Sequence, residues 1–196
     1  MSTEIADPSD AFRHRRIVIG LSGGIACYKV AAVVSRLAQS GAEVTVTMTE
    51  SATRFVTPLT FQALSGRPVY CDQWTHVESQ DPQHIRLARS AELLLIAPCT
   101  MDMLAKLATG RTDDVVSLIA SAVDRSRQPV LLAPSMNSVM WQQPATQRNL
   151  AVLREDGYTL LDPASGWQAC RTEGVGRLPE PEELLQAVAA GLAASG

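Results

Sequence analysis

The stretch RIVIGLSGGIA, residues 16–26, decides the fold that this sequence predicts. Its first half, Arg16–Leu21, is a short apolar run rich in β-branched residues, which is typical of a strand. Glycines follow at once, and from Ile25 to Gln39 apolar residues recur at helical spacing until Gly41, a residue suited to ending a helix. This part of the chain is therefore predicted to be a strand that turns sharply into a helix.

Strand-like and helix-like segments alternate through the rest of the chain. Further strands are predicted at residues 42–48, 92–97, 129–133 and 158–161. Helices are predicted at residues 51–64 with a break at Pro58, and at 84–90, 101–109, 113–124 and 182–194. Residues 92–97 (ELLLIA) and 129–133 (PVLLA) resemble strands that are buried on both faces. The sequence predicts an α/β fold, a single-domain open parallel sheet with helices on both faces.

Two stretches do not follow this alternation. Residues 1–14 are mostly polar and are predicted to be a disordered lead-in, so that the folded domain would span residues 15–196. Residues 163–178 contain glycines and show weak periodicity, and a loop is predicted there.

The composition is that of an ordinary globular protein, with 46% apolar residues, 19% charged residues and a net charge of −3. Nothing in it points to a nucleic-acid or membrane partner. No signal peptide precedes the first apolar segment, so a cytoplasmic protein with reduced thiols is expected. The cysteines have no C-x-x-C spacing and no histidine at zinc-ligand spacing, so no metal site is expected; they are Cys27, Cys71, Cys99 and Cys170.

The loop after the first strand, residues 20–26, is predicted to bind a phosphate. Glycines let the backbone approach a ligand closely, and the start of a helix presents unpaired N–H groups and a positive dipole end. The glycine spacing is not G-x-G-x-x-G, which favours a mononucleotide over NAD. Taken alone, the loop is also compatible with a tight strand–helix turn without a ligand.

Four polar segments follow predicted strands, at residues 22–26, 49–51, 98–103 and 134–137. Ligands of open parallel sheets bind at the carboxyl ends of the strands. Because four such segments coincide at these ends, one shared site is predicted.

These segments together resemble the homo-oligomeric flavin-containing cysteine decarboxylases, over about residues 15–177. The motifs that carry the resemblance are SGGIACYK (22–29), QHIRLA (83–88), APCTMDMLAKLATG (97–110), DDVVS (113–117), APSMNSVMW (133–141) and ACRTEGVGR (169–177). The resemblance implies a Rossmann-like flavoprotein with FMN as cofactor. The FMN-binding residues would be Ser22, Gly23, Gly24, Ile25, Thr49, Glu50, Ser51, Thr100, Met101, Asp102, Met103 and Ser135.

The same resemblance assigns roles to side chains around the substrate. His84 corresponds to the active-site histidine, and imidazole exchanges protons near neutral pH; a lone histidine is otherwise more often structural. Cys170 corresponds to the cysteine that completes reduction of the intermediate. Asn137 would bind the carboxylate of the substrate's cysteine moiety. Residues next to the cysteine are expected to contact the substrate as well; these are Trp167, Gln168 and Ala169.

The implied activity is the FMN-dependent decarboxylation of 4′-phosphopantothenoyl-cysteine to 4′-phosphopantetheine in coenzyme A biosynthesis. Oxidation of the thiol to a thioaldehyde creates an electron sink, carbon dioxide leaves to give an ene-thiol, and reduction completes the cycle. Arg177 is a candidate ligand of the substrate's phosphate. The family also implies a trimer or a dodecamer of trimers with FMN at subunit contacts, and a phosphopantothenoylcysteine synthetase as a separate or downstream partner.

One segment departs from the family pattern. The clamp loop commonly has Gly-Asp after its cysteine, where this chain has Arg171 and Thr172, and arginine lacks the freedom of glycine at positive φ. The alternatives are a peptidyl-cysteine decarboxylase of lantibiotic maturation, a related flavin prenyltransferase, a non-catalytic FMN-binding regulator and an FMN electron carrier. Cys170 argues against the first of these, and His84 argues against the prenyltransferase.

Overall fold

The computed structural model describes residues 11–74, 82–169 and 171–194. Within them, a six-stranded parallel sheet has the strand order β3-β2-β1-β4-β5-β6. Its strands are β1 (Arg16–Leu21), β2 (Glu43–Met48), β3 (Val69–Tyr70), β4 (Leu93–Cys99), β5 (Val130–Pro134) and β6 (Thr159–Leu160). The predicted fold class is confirmed, and the strand order reverses between β1 and β4, which is where open sheets bind ligands.

Helices cover both faces of this sheet. They are α1 (Cys27–Gln39), α2 (Glu50–Thr53), α3 (Pro58–Ser65), α4 (Gln83–Ser90), α5 (Met101–Ala108), α6 (Val115–Ala122), α7 (Ser138–Gln142), α8 (Pro144–Glu155) and α9 (Pro181–Ala194). The predicted elements that are present have bounds within two residues of those observed, except that α2 ends at Thr53, well before the predicted break at Pro58. Three further elements, β3, α7 and α8, were not predicted from the sequence.

The core consists of two apolar clusters, one on each face of the sheet. Leu93 and Leu95 of β4 belong to the cluster beneath α1, α3 and α9. Leu94 and Ile96 point the other way, into the cluster beneath α4, α5, α6 and α8. Burial of each such side chain stabilises the fold by about 1.5–3 kcal/mol, which is why a wholly apolar run forms a central strand.

The amino-terminal boundary differs from the one predicted. Residues 11–14 form a short turn, and Phe12 is buried in the cluster beneath α1 and α9. The N–H of His14 donates to the carbonyl of Gly41 (2.9 Å), which joins this turn to the end of α1. The packed domain therefore includes Phe12, while residues 1–10 of the expected lead-in lie outside the described residues.

The predicted loop at residues 163–178 is wrong in part. Most of it is an antiparallel hairpin of β7 (Ala164–Trp167) and β8 (Glu173–Arg177), in which Gly166 pairs with Gly174 and Trp167 with Glu173. The apolar alternation that marks a half-buried strand is missing because three of its positions are glycines. The hairpin lies beside the main sheet rather than in it.

Within the described part of the chain, no helix combines the length and the apolar character that crossing a bilayer requires.

Candidate functional site

A cavity of about 820 Å³ lies at the carboxyl ends of β1, β2, β4 and β5. Loops that follow these four strands form one side of it, and the hairpin of β7 and β8 forms another. This volume falls in the range of small-molecule binding sites. The four polar segments predicted to share one site are therefore brought together.

Ser22 braces two of these loops. Its buried hydroxyl donates to the carbonyl of Pro98 (2.7 Å) and accepts from the N–H of Thr100 (2.9 Å). Gly23 packs closely against a third loop, the one that follows β2. A Cβ at position 23 would lie 2.4 Å from the Cβ of Ser51. Glycine is therefore required at position 23 for steric reasons, because the loop at residues 20–26 packs directly against the loop after β2.

The start of α1 has the features of an anion site. Its N-cap, Ala26, provides no side-chain acceptor, and the first turn carries no acidic residue. By contrast, Thr100 caps α5 and Asp114 caps α6 with side-chain oxygens. The positive end of this 13-residue helix is therefore open to an anionic ligand in the cavity.

Hydroxyl groups around the cavity are held in place by the helix starts that they cap. Thr49 Oγ1 accepts from the N–H of Ala52 (3.2 Å), and Thr100 Oγ1 accepts from the N–H of Met103 (3.3 Å). Of the twelve predicted cofactor-binding residues, ten line the cavity; they are Ser22, Gly23, Gly24, Ile25, Thr49, Ser51, Thr100, Met101, Asp102 and Ser135.

The other two predicted cofactor residues do not reach the cavity. The side chain of Glu50 is 87% exposed and pairs with Arg54 (3.3 Å) on the outer side of α2. Met103 is fully buried in the apolar cluster beneath α5. Helical geometry explains both, since neighbours of a cavity-facing residue on a helix point in other directions.

Lys106 is a cavity residue that the sequence analysis did not select. Its ammonium contacts carboxylates of Asp113 and Asp114 (2.9 Å each) and of Asp102 (3.5 Å). Burial alone would lower the pKa of Lys106, but these carboxylates outweigh it and raise the pKa well above its ordinary value. The cluster ties α5 to the start of α6 and keeps Lys106 charged.

Asn137 lies at the cavity and caps α7. Its Oδ1 accepts a hydrogen bond from the N–H of Val139 (2.8 Å). Because the oxygen is committed as an acceptor, the amide nitrogen is the end that can donate to a ligand. This orientation suits the predicted contact with a substrate carboxylate.

The hairpin brings the predicted substrate residues to the cavity. Trp167, Gln168 and Ala169 all line it. Met136 donates its N–H to the carbonyl of Gly176 (2.9 Å), which fastens the hairpin to the loop that carries Asn137. Cys170 lies outside the described residues, so its role stays a prediction.

Arg171 adopts the backbone conformation that the family pattern assigns to glycine. Its φ is +64°, in the left-handed region, and its N–H donates to the carbonyl of Gln168 (2.9 Å). Replacing glycine by arginine has therefore not removed the turn of the hairpin, although a side chain in this region is strained.

His84 is placed in the first turn of α4 and is half-buried. It is not among the described residues that line the cavity of a single chain. Its role as the acid–base group stays a prediction.

Two cysteines belong to the packed interior. Cys27 and Cys99 are fully buried, and burial raises the pKa of both thiols. The Cys27 thiol donates to the carbonyl of Ser22 (3.3 Å) and so helps to hold the loop at residues 20–26 in place.

Further residues that were not predicted from the sequence line the cavity. Lys29, Met140, Gly176 and Leu178 line the cavity together with the anticipated Arg177. Lys29 lies in the motif SGGIACYK, whose helical spacing places it one turn after Ile25. This helical spacing could have identified Lys29 as a cavity residue from the sequence.

Comparison with known proteins agrees with this geometry. Residues 5–193 match the family described as Flavoprotein. The chain is 44% identical over 173 residues to the coenzyme A biosynthesis bifunctional protein CoaBC of Bacillus subtilis, covering 88% of this chain and 42% of that protein. The chain thus spans less than half the length of this relative.

Two solved structures are similar over nearly their full length. A PPC decarboxylase variant complexed with pantothenoylaminoethenethiol has a TM-score of 0.80 and 31% identity, covering 90% of this chain and 97% of that one. The FMN-dependent cysteine decarboxylase SpaF has a TM-score of 0.81 and 29% identity, covering 94% of this chain and 98% of that one.

Proposed function

Because the chain belongs to the Flavoprotein family, we propose that it is an FMN-dependent decarboxylase of 4′-phosphopantothenoyl-cysteine, which yields 4′-phosphopantetheine in coenzyme A biosynthesis. The observation that carries the proposal is the cavity in which the uncapped start of α1 and the amide of Asn137 occur together. The 44% identity to CoaBC of Bacillus subtilis supports the substrate. That relative is bifunctional, and a separate or downstream synthetase is the partner we expect.

FMN fits the chemistry of the cavity residues. The open end of α1 suits its phosphate, and hydroxyls of Thr49, Thr100 and Ser135 suit a polyol chain. Met101 and Met136 offer polarizable surface to an aromatic ring. Bound FMN would supply the two-electron redox chemistry that turns the substrate's thiol into an electron sink.

The residues of the chain would then bind and orient the substrate. The Asn137 amide donates to the substrate carboxylate without adding a positive charge that would oppose loss of carbon dioxide. The hairpin excludes water from the reacting atoms through Trp167, Gln168 and Ala169. Cys170 would donate the proton that accompanies reduction of the ene-thiol.

A homotrimer, alone or as a unit of a dodecamer of trimers, would complete the site. His84 does not line the cavity within one chain, and the family resemblance implies FMN at subunit contacts. Large apolar side chains are exposed at the cavity rim, which is typical of surfaces covered by a partner; they are Ile25, Tyr28, Met140 and Trp167. A second copy would therefore bring His84 to the substrate thiol, in a protein that we expect in the cytoplasm.

The test is turnover by the purified, FMN-loaded protein. We expect 4′-phosphopantothenoyl-cysteine to lose carbon dioxide, with 4′-phosphopantetheine detected by mass spectrometry. His84→Asn should abolish turnover while FMN stays bound, and Cys170→Ser should release a product two hydrogens lighter. His14→Asn is the matched control, because asparagine tolerates the positive φ of His14 (61°). A colourless protein that takes up no FMN would contradict the proposal.

A second candidate is decarboxylation of a peptide with a carboxyl-terminal cysteine, which the likeness to the cysteine decarboxylase SpaF favours. Turnover of such a peptide, with none of 4′-phosphopantothenoyl-cysteine, would replace the first proposal by this one. Bound FMN without turnover of either substrate would favour a non-catalytic FMN-binding regulator.

A further inference from the structure

The short helix α7 lies at the cavity but has no buried residue of its own. It is five residues long and follows Asn137, and both Asn137 and Met140 line the cavity. Its only contact with the apolar cluster beneath α4, α5, α6 and α8 comes from Trp141, which is partly buried. Because a helix this short is not stable without support, its position depends on polar contacts at its ends.

Two side chains of α8 bind the last carbonyls of α7. Thr146 Oγ1 donates to the carbonyl of Met140 (2.7 Å), and Gln147 Nε2 donates to the carbonyl of Trp141 (2.7 Å). The N–H of Trp141 donates in turn to the carbonyl of Asn137 (2.9 Å). The last carbonyls of a helix have no partner within it, and α8 supplies partners for two of them. A chain of hydrogen bonds therefore connects α8 with the backbone of Asn137.

Helix α8 is a fixed support for these contacts. Thr146 is fully buried, and so are Leu150 and Leu153, which follow it by about one and two helical turns. Residues at this spacing share one face of a helix, and both leucines belong to the apolar cluster beneath α4, α5, α6 and α8. The packing that holds the leucines therefore also fixes the hydroxyl of Thr146.

We propose that Thr146, supported by Gln147, is a positioning residue that keeps the amide of Asn137 directed at the carboxylate of the substrate. This rests on the proposed function, in which Asn137 binds that carboxylate. Because Asn137 Oδ1 accepts from the N–H of Val139 (2.8 Å), a shift of α7 carries the Asn137 side chain with it. Thr146 is not among the described residues that line the cavity, so it acts on the substrate only through α7.

Two compounds that differ only in the carboxylate test the proposal without turnover. In 4′-phosphopantothenoyl-serine the carboxylate is kept and a hydroxyl replaces the thiol, whereas 4′-phosphopantothenoyl-ethanolamine also lacks the carboxylate. We would titrate both into the FMN-loaded protein by calorimetry. The wild-type protein should prefer the serine compound at least about tenfold. Thr146→Val, which removes the hydroxyl at nearly unchanged size, should weaken binding of the serine compound about threefold and that of the ethanolamine compound less than about 1.5-fold.

Further single variants separate the hydroxyl from general packing. Thr146→Ser restores a donor to the carbonyl of Met140 and should recover most of the preference for the carboxylate. Gln147 is exposed, and Gln147→Leu should lower the preference about twofold with little effect on folding. Thr109→Val is the matched control, because Thr109 Oγ1 donates in the same way to the carbonyl of Ala105 (2.8 Å) at the end of α5. It should leave the preference unchanged.

A double variant shows whether Thr146 acts through Asn137. In a protein that already carries Asn137→Ala, adding Thr146→Val should change the affinity for the serine compound less than about 1.5-fold, because the contact that Thr146 positions is gone. The same threefold loss in both backgrounds would overturn the proposal. Equal weakening of the two compounds by Thr146→Val would overturn it too, as would a wild-type protein that does not distinguish them.

The outcomes for this inference and for the proposed function are distinguishable. A preference for the carboxylate that depends on Thr146, without decarboxylation of 4′-phosphopantothenoyl-cysteine, would retain the positioning role and remove the proposed function. Turnover of that substrate, with a preference that Thr146→Val leaves unchanged, would retain the proposed function and overturn the positioning role. The affinity of the apoprotein for FMN should be the same in Thr146→Val and the wild type; a loss would show that Thr146 supports the whole cavity, which contradicts the proposal.

Discussion

The side-chain oxygen of Gln168 accepts a hydrogen bond from the backbone N–H of Ser138 (3.2 Å). The same amide donates through Nε2 to the carbonyl of Val175 (3.2 Å). One buried side chain therefore connects both strands of the hairpin to the first turn of α7, immediately after Asn137. We therefore expect the position of the hairpin and the orientation of Asn137 to depend on this amide.

Replacement of Gln168 by leucine should expose that coupling. Gln168→Leu preserves size but leaves buried polar partners unsatisfied, so we expect a loss of about 1–3 kcal/mol in the free energy of unfolding. Substrate binding should weaken as well, because Asn137 loses its support. Urea denaturation and calorimetry measure the two effects. Gln142→Leu, at an exposed position of α7, should change neither; unchanged ligand affinity in Gln168→Leu would refute the coupling.

Gly176→Ala should separate the hairpin from the loop that carries Asn137. A Cβ at Gly176 would lie 2.2 Å from the carbonyl oxygen of Met136, and φ is +135°. Gly157→Ala is the control, because Gly157 also has a positive φ (+86°) but no atom within 4 Å of a Cβ. Both variants should lose about 1 kcal/mol or more of stability from backbone strain. Only Gly176→Ala should weaken ligand binding; equal affinities in the two variants would count against the contact.

Arg171→Gly should stabilise the protein. Arg171 has φ +64°, a conformation that costs a residue with a Cβ about 1–2 kcal/mol. Glycine relieves this strain but gains freedom in the unfolded chain, so we expect a net gain of about 0.5–1 kcal/mol. Arg171→Ala keeps the Cβ and should show no gain. Equal unfolding free energies for the glycine and alanine variants would show that backbone strain is not the cause.

Glu92 should make stability depend on pH in the acid range. Burial alone would raise its pKa, but hydrogen bonds from the N–H of Arg16 and the guanidinium of Arg15 outweigh it, and the pKa lies below its ordinary value. A carboxylate with a lowered pKa in the folded state stabilises the protein above its unfolded pKa, about 4.3, and this contribution is lost as the pH falls through the folded value.

We therefore expect Glu92→Gln to lower the free energy of unfolding by about 1 kcal/mol at pH 7. The difference from the wild type should shrink as the pH falls below about 4. Glu50→Gln, which also removes one carboxylate but from an exposed side chain, serves as the matched control for the loss of one negative charge. Chemical denaturation across the pH range measures the difference, and one that stays constant down to pH 2.5 or so would refute the assignment.

The central sheet was predictable because its buried strands are contiguous runs of apolar residues in the sequence. β4 and β5 are apolar throughout, since both faces of each strand are covered by helices. The twelve expected cofactor residues came from the family resemblance, and ten of them line the cavity at the carboxyl ends of the strands, where a parallel sheet binds its ligands. The local sequence pattern was sufficient to predict those elements whose burial follows from apolar residues within the element itself.

The remaining features depend on partners that are distant in the chain. Glu180 lies 151 positions from Lys29, and no periodicity relates the two residues. The hairpin is held by the Gln168 amide and by the close approach of Gly176 to Met136 rather than by an apolar face. Phe12 was missed because it is a lone aromatic residue in a polar stretch, whose burial depends on α1 and α9.

The hairpin of β7 and β8 has a consequence for how this domain can diversify. It forms a two-stranded sheet of its own, distinct from the six-stranded sheet that positions the strand-end loops. Substitutions in it can alter which molecule is enclosed without disturbing the burial of β1, β4 or β5. Evolution could therefore change what binds beside the hairpin by substitutions within Ala164–Arg177, while the loops at the ends of the six-stranded sheet are kept.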